Sequence, residues 1–460
     1  MSQSRHKPSA REVALDVLTK VEQERSYSNL LLNQTLQKHQ LAREEASFAT
    51  ELVYGTIQRL NTIDYFLERF VSRGMSKLQP WVRSLLRLSF YQLYYLDRIP
   101  PYAAVGEAVN LAKRRGHQGI SGMVNGVLRN VLRATDELEI PASLDPVKGI
   151  ALAHSHPEWM VARYIEQYGE EETRAICASN NEPPHVSVRV NRRLISRDEM
   201  MNKMADAGHR VRASLLSSDG IVVESGGNMA FTDWYRAGLI SIQDESSMLV
   251  AAAVNPQPGM KVLDCCAAPG GKTAHMAEMM DDQGMILAND VHPHKQKLIA
   301  EQADRLQLRS IRTMVSDAAL LTQRLEDASF DRVLLDAPCS GLGVIRRKPD
   351  LKWTKASEEI AEIIVLQRQL LAEAGRLLRP GGILVYSTCT IEQGENERQI
   401  SRFLKENPSF IPADESTENE AWRSAIRRTG PHPAGAGMMR ILPHQFHSDG
   451  FFIARMQKQM

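Results

Sequence analysis

A chain of 460 residues is too long for one ordinary core, so two or three domains are expected. Its 43% hydrophobic and 24% charged residues describe a soluble globular protein; Met1–Lys7 lacks the apolar core of a secretory signal, and the purest apolar run, Met248 to Val254, is far too short to cross a bilayer. A net charge of +1 does not announce a nucleic-acid binder, and five cysteines without zinc-finger spacing suggest neither a disulfide framework nor a metal site, which points to a reduced, cytoplasmic setting.

The front of the chain reads as helices. Apolar residues recur at helical spacing in Val13, Val17, Leu18 and Val21, in Leu52, Val53, Ile57, Leu60 and Ile63, and in Leu85, Leu86, Leu93 and Leu96. Met123 to Asn130 continues the pattern despite Gly126. Between Met1 and Ile140 there are 19 Lys+Arg against 14 Asp+Glu, a balance of +5 that suits RNA without demanding it. The breaker cluster Ile140 to Pro146 reads as a linker.

From about Pro184 the period changes. Val186, Val188 and Val190 alternate with polar residues, as in a half-buried strand. A helix over 197–207 follows, opened by Ser196 with Glu199 three residues on, the spacing of a capping box. Short strands at 210–213 and 221–224 complete a small α+β unit. From Gly259 strand and helix alternate, with strands expected at 261–264, 285–290, 311–317, 332–336 and 382–387 and the longest helix over 357–378. This is the pattern of a doubly wound parallel sheet, whose ligands bind at the carboxyl ends of the strands. The polar, Gly/Pro-bearing stretch 415–437 reads as a long loop.

Those strand ends carry the chemistry. Asp264-Cys265-Cys266-Ala267-Ala268-Pro269-Gly270-Gly271-Lys272-Thr273 links the first strand to its helix, and its small residues let a ligand approach the backbone and the helix N-terminus. It is not a P-loop, because Cys266 stands where that motif needs Gly, and adjacent Gly270 and Gly271 break the dinucleotide fingerprint. Asp290 ends the second strand, where an acid can accept hydrogen bonds from ribose hydroxyls. Asp317 ends the third, suited either to an adenine amino group or to capping the next helix. The loop and these two acids describe an adenosyl pocket. Asp336-Ala337-Pro338-Cys339-Ser340-Gly341 follows the fourth strand and Tyr386-Ser387-Thr388-Cys389-Thr390 the fifth, so topology delivers two thiols to one rim. A lone buried Cys is usually a small hydrophobe, but thiolate is also the strongest common side-chain nucleophile. Carbon 5 of cytosine is a poor nucleophile until a thiolate adds at carbon 6; Asp336, three residues before Cys339, is placed to assist at N3.

At these residues the sequence resembles the RNA cytosine-C5 methyltransferases of the Fmu/Sun/NOL (NOL1/NOP2/sun) family, over most of the chain. Asp336–Gly341 and Ser387–Thr390 are similar to that family's two cysteine motifs. The resemblance implies a Rossmann-like catalytic domain using S-adenosyl-L-methionine, with Cys389 as nucleophile, Cys339 assisting product release, and Asp336 and Lys272 in catalysis. It places the cofactor on Cys266, Ala267, Ala268, Pro269, Gly270, Gly271, Lys272, Asp290, Asp317 and Asp336. Ile345 to Trp353, Glu395-Asn396-Glu397 and Asp449-Gly450-Phe451-Phe452 are similar to further family signatures; the basic stretch 346–352 reads equally as a solvated loop, while its position just past the second cysteine favours contact with RNA phosphate. Cys265 and Gly394 depart from the family pattern without touching an assigned role.

The helical front end resembles the antitermination factor B (NusB) fold, best over Val124 to Asn130. Such a fusion implies a multidomain enzyme. It has an all-α RNA-binding domain (1–140), a linker and small α+β, RNA-recognition-like adaptor (141–240), and an α/β Rossmann-like methyltransferase domain (241–460). The implied substrate is 16S ribosomal RNA, at cytosine 967, before full assembly of the 30S particle. The implied protein is a monomer that binds neither DNA nor membrane. The same chemistry on transfer RNA is the nearest rival. A P-loop ATPase using Lys272 is opposed by Cys266, and a non-catalytic RNA-binding module by the two strand-end cysteines.

Overall fold

A computed structural model describes residues 7–24, 28–225, 227–413 and 419–460. The N-terminal segment read as lacking a signal, apart from Lys7, and the first part of the stretch 415–437 lie outside them. The chain divides into two compact units, Met1–Glu182 with Ile345–Thr354, and Pro183–Val344 with Lys355–Met460.

The first unit is helical. Its helices are α1 (Ala10–Glu24), α2 (Ser28–His39), α3 (Arg43–Gln58), α4 (Leu60–Leu67), α5 (Pro80–Tyr95), α6 (Pro101–Arg115), α7 (Gln118–Arg133), α8 (Pro146–Ala153), α9 (Glu158–Tyr168) and α10 (Glu170–Ser179). The apolar stripes meet in one core that includes Val17, Leu52, Leu85, Leu86 and Leu128. Asp145 in the breaker cluster caps α8 through the Lys148 amide. Cys177 is buried here, and burial pushes its thiol up to about 12, which makes it a packing residue.

Ile345–Thr354 belongs to this helical unit, and the basic stretch 346–352 is corrected by its burial. Arg346 and Lys352 are 4% and 0% exposed. The Arg346 guanidinium donates to the Ser179 carbonyl at 3.1 Å. Lys352 Nζ donates to the carbonyls of Gln58 and Ser155 and to Asn181 Oδ1, each at 2.9 Å. The Trp353 indole donates to the Ile57 carbonyl at 2.8 Å. These buried side chains anchor the segment internally through hydrogen bonds to acceptors of this unit, and burial lowers the Lys352 pKa well below the usual amine value; of the basic residues, Lys348 is exposed. Lys352→Met should therefore destabilise the helical unit, each buried acceptor left without a donor costing about 1–3 kcal/mol. Thermal unfolding checks this, and a variant melting with the wild type would show that the three bonds anchor nothing.

The second unit opens with β1 (Val186–Val190), α11 (Arg197–Asp206), β2 (Arg210–Ala213), β3 (Gly220–Ser225), α12 (Asp233–Arg236) and β4 (Ile240–Ile242). The strands form an antiparallel sheet in the order β2-β3-β1-β4. The Ser196–Glu199 capping box forms as its spacing predicts. There follow α13 (Glu245–Val254), β5 (Lys261–Asp264), α14 (Gly271–Met279), β6 (Met285–Asp290), α15 (Pro293–Arg305), β7 (Ile311–Val315) and β8 (Phe330–Asp336). After the buried segment's α16 (Leu351–Thr354) come α17 (Ser357–Leu377), β9 (Leu378–Thr388), α18 (Glu397–Glu406), β10 (Phe410–Pro412), α19 (Glu420–Thr429), β11 (Met438–Ile441), α20 (Pro443–Phe446) and β12 (Phe451–Lys458). Arg189 of β1, fully buried, forms an ion pair with Glu278 of α14 at 2.8 Å and ties the small sheet to the large one.

The large sheet runs β10-β12-β9-β8-β5-β6-β7 with β11 against β12. The five expected strands are parallel, and a C-terminal antiparallel set of β10, β11 and β12 makes the sheet mixed. The loop expected over 415–437 is corrected in part: α19 occupies Glu420–Thr429, capped by Asn419 and burying Trp422 and Ala425. The chain builds β6 and β7 on one side of β5, then β8 and β9 on the other. That reversal opens a crevice beyond the carboxyl end of β5.

Candidate functional site

The β5–α14 loop forms one wall of the crevice. Gly270 sits at φ +100, and a side chain there would meet the Ile299 Cα at 3.2 Å. A Cβ on Gly271 would point into open space, so a ligand can reach the backbone at the start of α14. The first-turn amides of that helix have no intrahelical acceptor and carry its positive end. Asp264, 1% exposed, accepts from the Thr273 hydroxyl at 2.7 Å through Oδ2, while Oδ1 has no hydrogen-bond partner. Burial, with the charge of Asp336 adding to it, pushes the Asp264 carboxyl up to about 7. Asn289 was not singled out by sequence, yet its side-chain Nδ2 donates to the Cys265 and Ser316 carbonyls and its backbone carbonyl accepts from Ala267 N, which fixes three strand ends together. A polar residue one place before a strand-end acid was the available signal.

Asp290 is nearly buried. Its Oδ1 accepts from the His292 amide at 3.0 Å and lies 3.7 Å from Lys295 Nζ. Asp317 lies beyond the end of β7, is exposed, and accepts from Ala319 N at 2.9 Å, so one of its oxygens caps the turn that follows. Cys266 is partly buried, and its thiol is pushed well up by that burial and by nearby carboxylates. Cys265 is buried beneath the loop with its thiol pushed up by burial, as a packing residue.

Across the crevice β8 and β9 end side by side, with Asp336 paired to Ser387 in register. Lys272 Nζ donates to Asp336 Oδ2 at 2.7 Å, and the Ser387 hydroxyl donates to Oδ1 at 2.7 Å. Burial alone would lower the Lys272 pKa; the Asp336 carboxylate reverses this and raises it, and negative charge on Cys389 raises it further. The ammonium also stands 5.3 Å over the Phe451 ring. Cys339 Sγ and Cys389 Sγ are 3.4 Å apart. Contact with Cys389 and burial both raise the Cys339 pKa. The loops approach backbone to backbone: Gly343 N donates to the Cys389 carbonyl at 3.0 Å, and Gly450 N to the Gly343 carbonyl at 2.8 Å. A Cβ on Gly343 would lie 2.8 Å from the Cys389 carbonyl oxygen, which explains a glycine there and the glycine of Asp449–Phe452 opposite.

Cys266 to Lys272, Asp290, Asp336, Cys339 and Cys389 thus all lie on the strand-end rim, with Asp317 at its margin. The rim's acceptors suit a ligand rich in N–H and O–H donors: the orphaned Asp264 oxygen, Asp290 and Asp317. Its helix start and side-chain-free Gly271 suit a closely seated ligand. An adenosyl cofactor with ribose hydroxyls, an adenine amino group and an ammonium fits that donor set. Among the described residues no cluster of three or more His, Cys, Asp or Glu has metal-binding geometry, and no helix is long and apolar enough to cross a membrane.

Comparison with known proteins bears on the whole chain. The NusB family matches residues 8–133, a ferredoxin-like domain of RsmF/B-like methyltransferases matches 156–230, and the family described as 16S rRNA methyltransferase RsmB/F matches 251–457. A Bacillus subtilis protein named probable ribosomal RNA small subunit methyltransferase B is 44% identical, over 98% of this chain and 99% of its own length. The Pseudomonas putida ribosomal RNA small subunit methyltransferase B is 33% identical over 93% of this chain and 94% of its own. Among solved structures, PH0851 is similar with a TM-score of 0.80 and 26% identity, covering 98% of this chain and 99% of that one. NSun6 from Pyrococcus horikoshii shares the fold at a TM-score of 0.59 and 22% identity, over 66% of this chain and 98% of that one. With matches that run from the helical front end through the crevice, the chain belongs to the RsmB/F family of 16S ribosomal RNA methyltransferases, RNA-modifying enzymes that use S-adenosyl-L-methionine.

Proposed function

We propose that this chain methylates C5 of a cytosine in small-subunit ribosomal RNA, position 967 of the 16S molecule, through a covalent bond between Cys389 and C6 of the base. The contact of the Cys339 and Cys389 thiols at 3.4 Å, beside the Lys272–Asp336 pair, carries this reading. The names of the full-length relatives support a small-subunit ribosomal target over transfer RNA.

S-adenosyl-L-methionine supplies an electrophilic methyl group when bound. The residues that would hold it are Cys266 to Lys272, with Asp290 on the ribose, Asp317 toward the adenine and Asp336 at the rim. Cys389 loses its proton, and its thiolate forms a bond to C6 while the C5–C6 double bond shifts its electrons toward C5 and N3. The proton that leaves Cys389 passes by way of the Asp336 carboxylate to N3 as that charge develops, which makes C5 nucleophilic. Lys272 keeps positive charge beside both groups throughout. Afterwards Cys339 assists removal of the C5 proton, the C5–C6 double bond re-forms, and the Cys389–C6 bond breaks to release thiolate.

The enzyme acts as a cytoplasmic monomer on 16S RNA ahead of complete 30S assembly, and the helical unit contributes RNA affinity. Bisulfite sequencing of ribosomal RNA from a strain lacking the protein tests the target. Loss of one protected 16S cytosine, restored by adding enzyme to naked 16S RNA, is expected. Unchanged 16S protection with a lost transfer-RNA site would move the activity to the other substrate.

A further inference from the structure

Two consecutive residues outside the cysteine motifs each hold the neighbours of one cysteine. Glu395 and Asn396 are both 0% exposed in the turn before α18. Asn396 brackets Cys389: its Oδ1 accepts from the Thr388 hydroxyl at 2.6 Å, and its Nδ2 donates to the Thr390 carbonyl at 2.9 Å. Glu395 grips the residue after Cys339, with Oε2 accepting from Ser340 N at 2.9 Å and Oε1 from the Ser340 hydroxyl. Gln367 completes that bracket, donating to the Pro338 carbonyl at 3.0 Å and to Glu395 Oε2 at 2.9 Å. The Ser340 and Thr390 hydroxyls, 2.9 Å apart, join the brackets. The Glu395 backbone is pinned as well, because its carbonyl accepts from the Tyr386 hydroxyl at 2.6 Å.

We infer that Glu395 and Asn396 are positioning residues that each set one of the two thiols, Glu395 for Cys339 in adduct release and Asn396 for Cys389 in adduct formation. The inference rests on the cysteine roles proposed above. Neither residue need touch the RNA base or the cofactor. Asn396 holds the residues on both sides of Cys389, and Glu395 together with Gln367 holds those on both sides of Cys339; sulfur placement decides whether attack and release occur within bonding reach. A misplacement near 1 Å from a group outside the reacting atoms can cost about 10²-fold in rate.

The two brackets should fail differently, which a purely structural role would not produce. Glu395→Ala leaves Ser340 N without an acceptor and frees the Cys339 loop, so adduct forms and persists. In denaturing electrophoresis with 16S RNA and cofactor, this variant should accumulate a covalent protein–RNA band as Cys339→Ala does. Glu395→Gln should release adduct normally: its carbonyl oxygen can accept from Ser340 N and Gln367, and the Ser340 hydroxyl can turn to donate to Thr390 and accept from the new amide. Asn396→Ala, placed in the Cys339→Ala background, should slow appearance of the band by about 10²-fold at saturating cofactor. Binding of a cofactor analogue confirms folding. If Glu395→Ala does not fold, Ser340→Ala carries the test, because it deletes the hydroxyl that joins both brackets and should also raise adduct. A band in Cys339→Ala but none in Glu395→Ala or Ser340→Ala overturns the inference alone. So does a Glu395→Gln that fails as Glu395→Ala does, or an Asn396→Ala with unchanged band kinetics. Absence of any band in Cys339→Ala overturns the cysteine assignment, and the inference with it.

Discussion

Cys389→Ala is expected to abolish methyl transfer and leave no protein–RNA adduct, whereas Cys339→Ala is expected to trap one. The sulfurs lie 3.4 Å apart, and in the proposed mechanism both act on one base, one after the other. Without Cys389 nothing adds to C6, and C5 stays unreactive; turnover should fall by roughly 10⁴–10⁶-fold, the scale seen when an enzyme nucleophile is removed. Without Cys339 the nucleophile remains, and addition and methylation proceed. The C5 proton then leaves slowly and the RNA stays attached through denaturing electrophoresis. If the thiols only filled space, each truncation would leave a small cavity and lower stability, with no adduct in either variant. An adduct in Cys389→Ala and none in Cys339→Ala would exchange the two roles.

Much of this rim could be read from sequence because strand ends obey a short-range rule. Five apolar runs each lead to a polar residue, and a parallel sheet gathers those ends on one side whatever the intervening helices do. The Ser196–Glu199 cap is likewise local chemistry and forms as spaced. What sequence did not reveal depends on partners far along the chain. Arg346 and Lys352 look like a solvated basic loop, yet their acceptors come from Gln58, Ser155, Ser179 and Asn181. Helix α19 is masked by Arg, Gly and Pro around it; only the spacing of Trp422 and Ala425 marks its buried face. The antiparallel strands escaped because β12 finds its register against β9, and β10 and β11 theirs against β12, rather than through a turn of their own. Glu395 and Asn396 carry a motif, but its purpose shows only when the atoms they hold are known.

Lys272→Met should lower single-turnover methylation by about 10²–10³-fold at saturating cofactor, the usual effect of deleting one preorganised charge at a reacting centre. The ammonium is the cation 2.7 Å from Asp336, and negative charge on Cys389 raises its pKa. That influence is reciprocal: the charged ammonium stabilises the Cys389 thiolate to the same extent. With Met in its place the thiol should hold its proton to higher pH. The signature is therefore a shift of the rising limb of the pH–rate profile toward alkaline pH, beyond a lower plateau. Alkylation of Cys389 by iodoacetamide, measured in the Cys339→Ala background, should shift the same way. Lys272→Arg keeps the charge beside Asp336 and should retain a larger share of the rate, although its planar fork cannot reproduce a point donor over the Phe451 ring. A Lys272→Met enzyme with reduced rate and an unmoved pH limb would place Lys272 with the cofactor alone, and remove it from activation of the thiol.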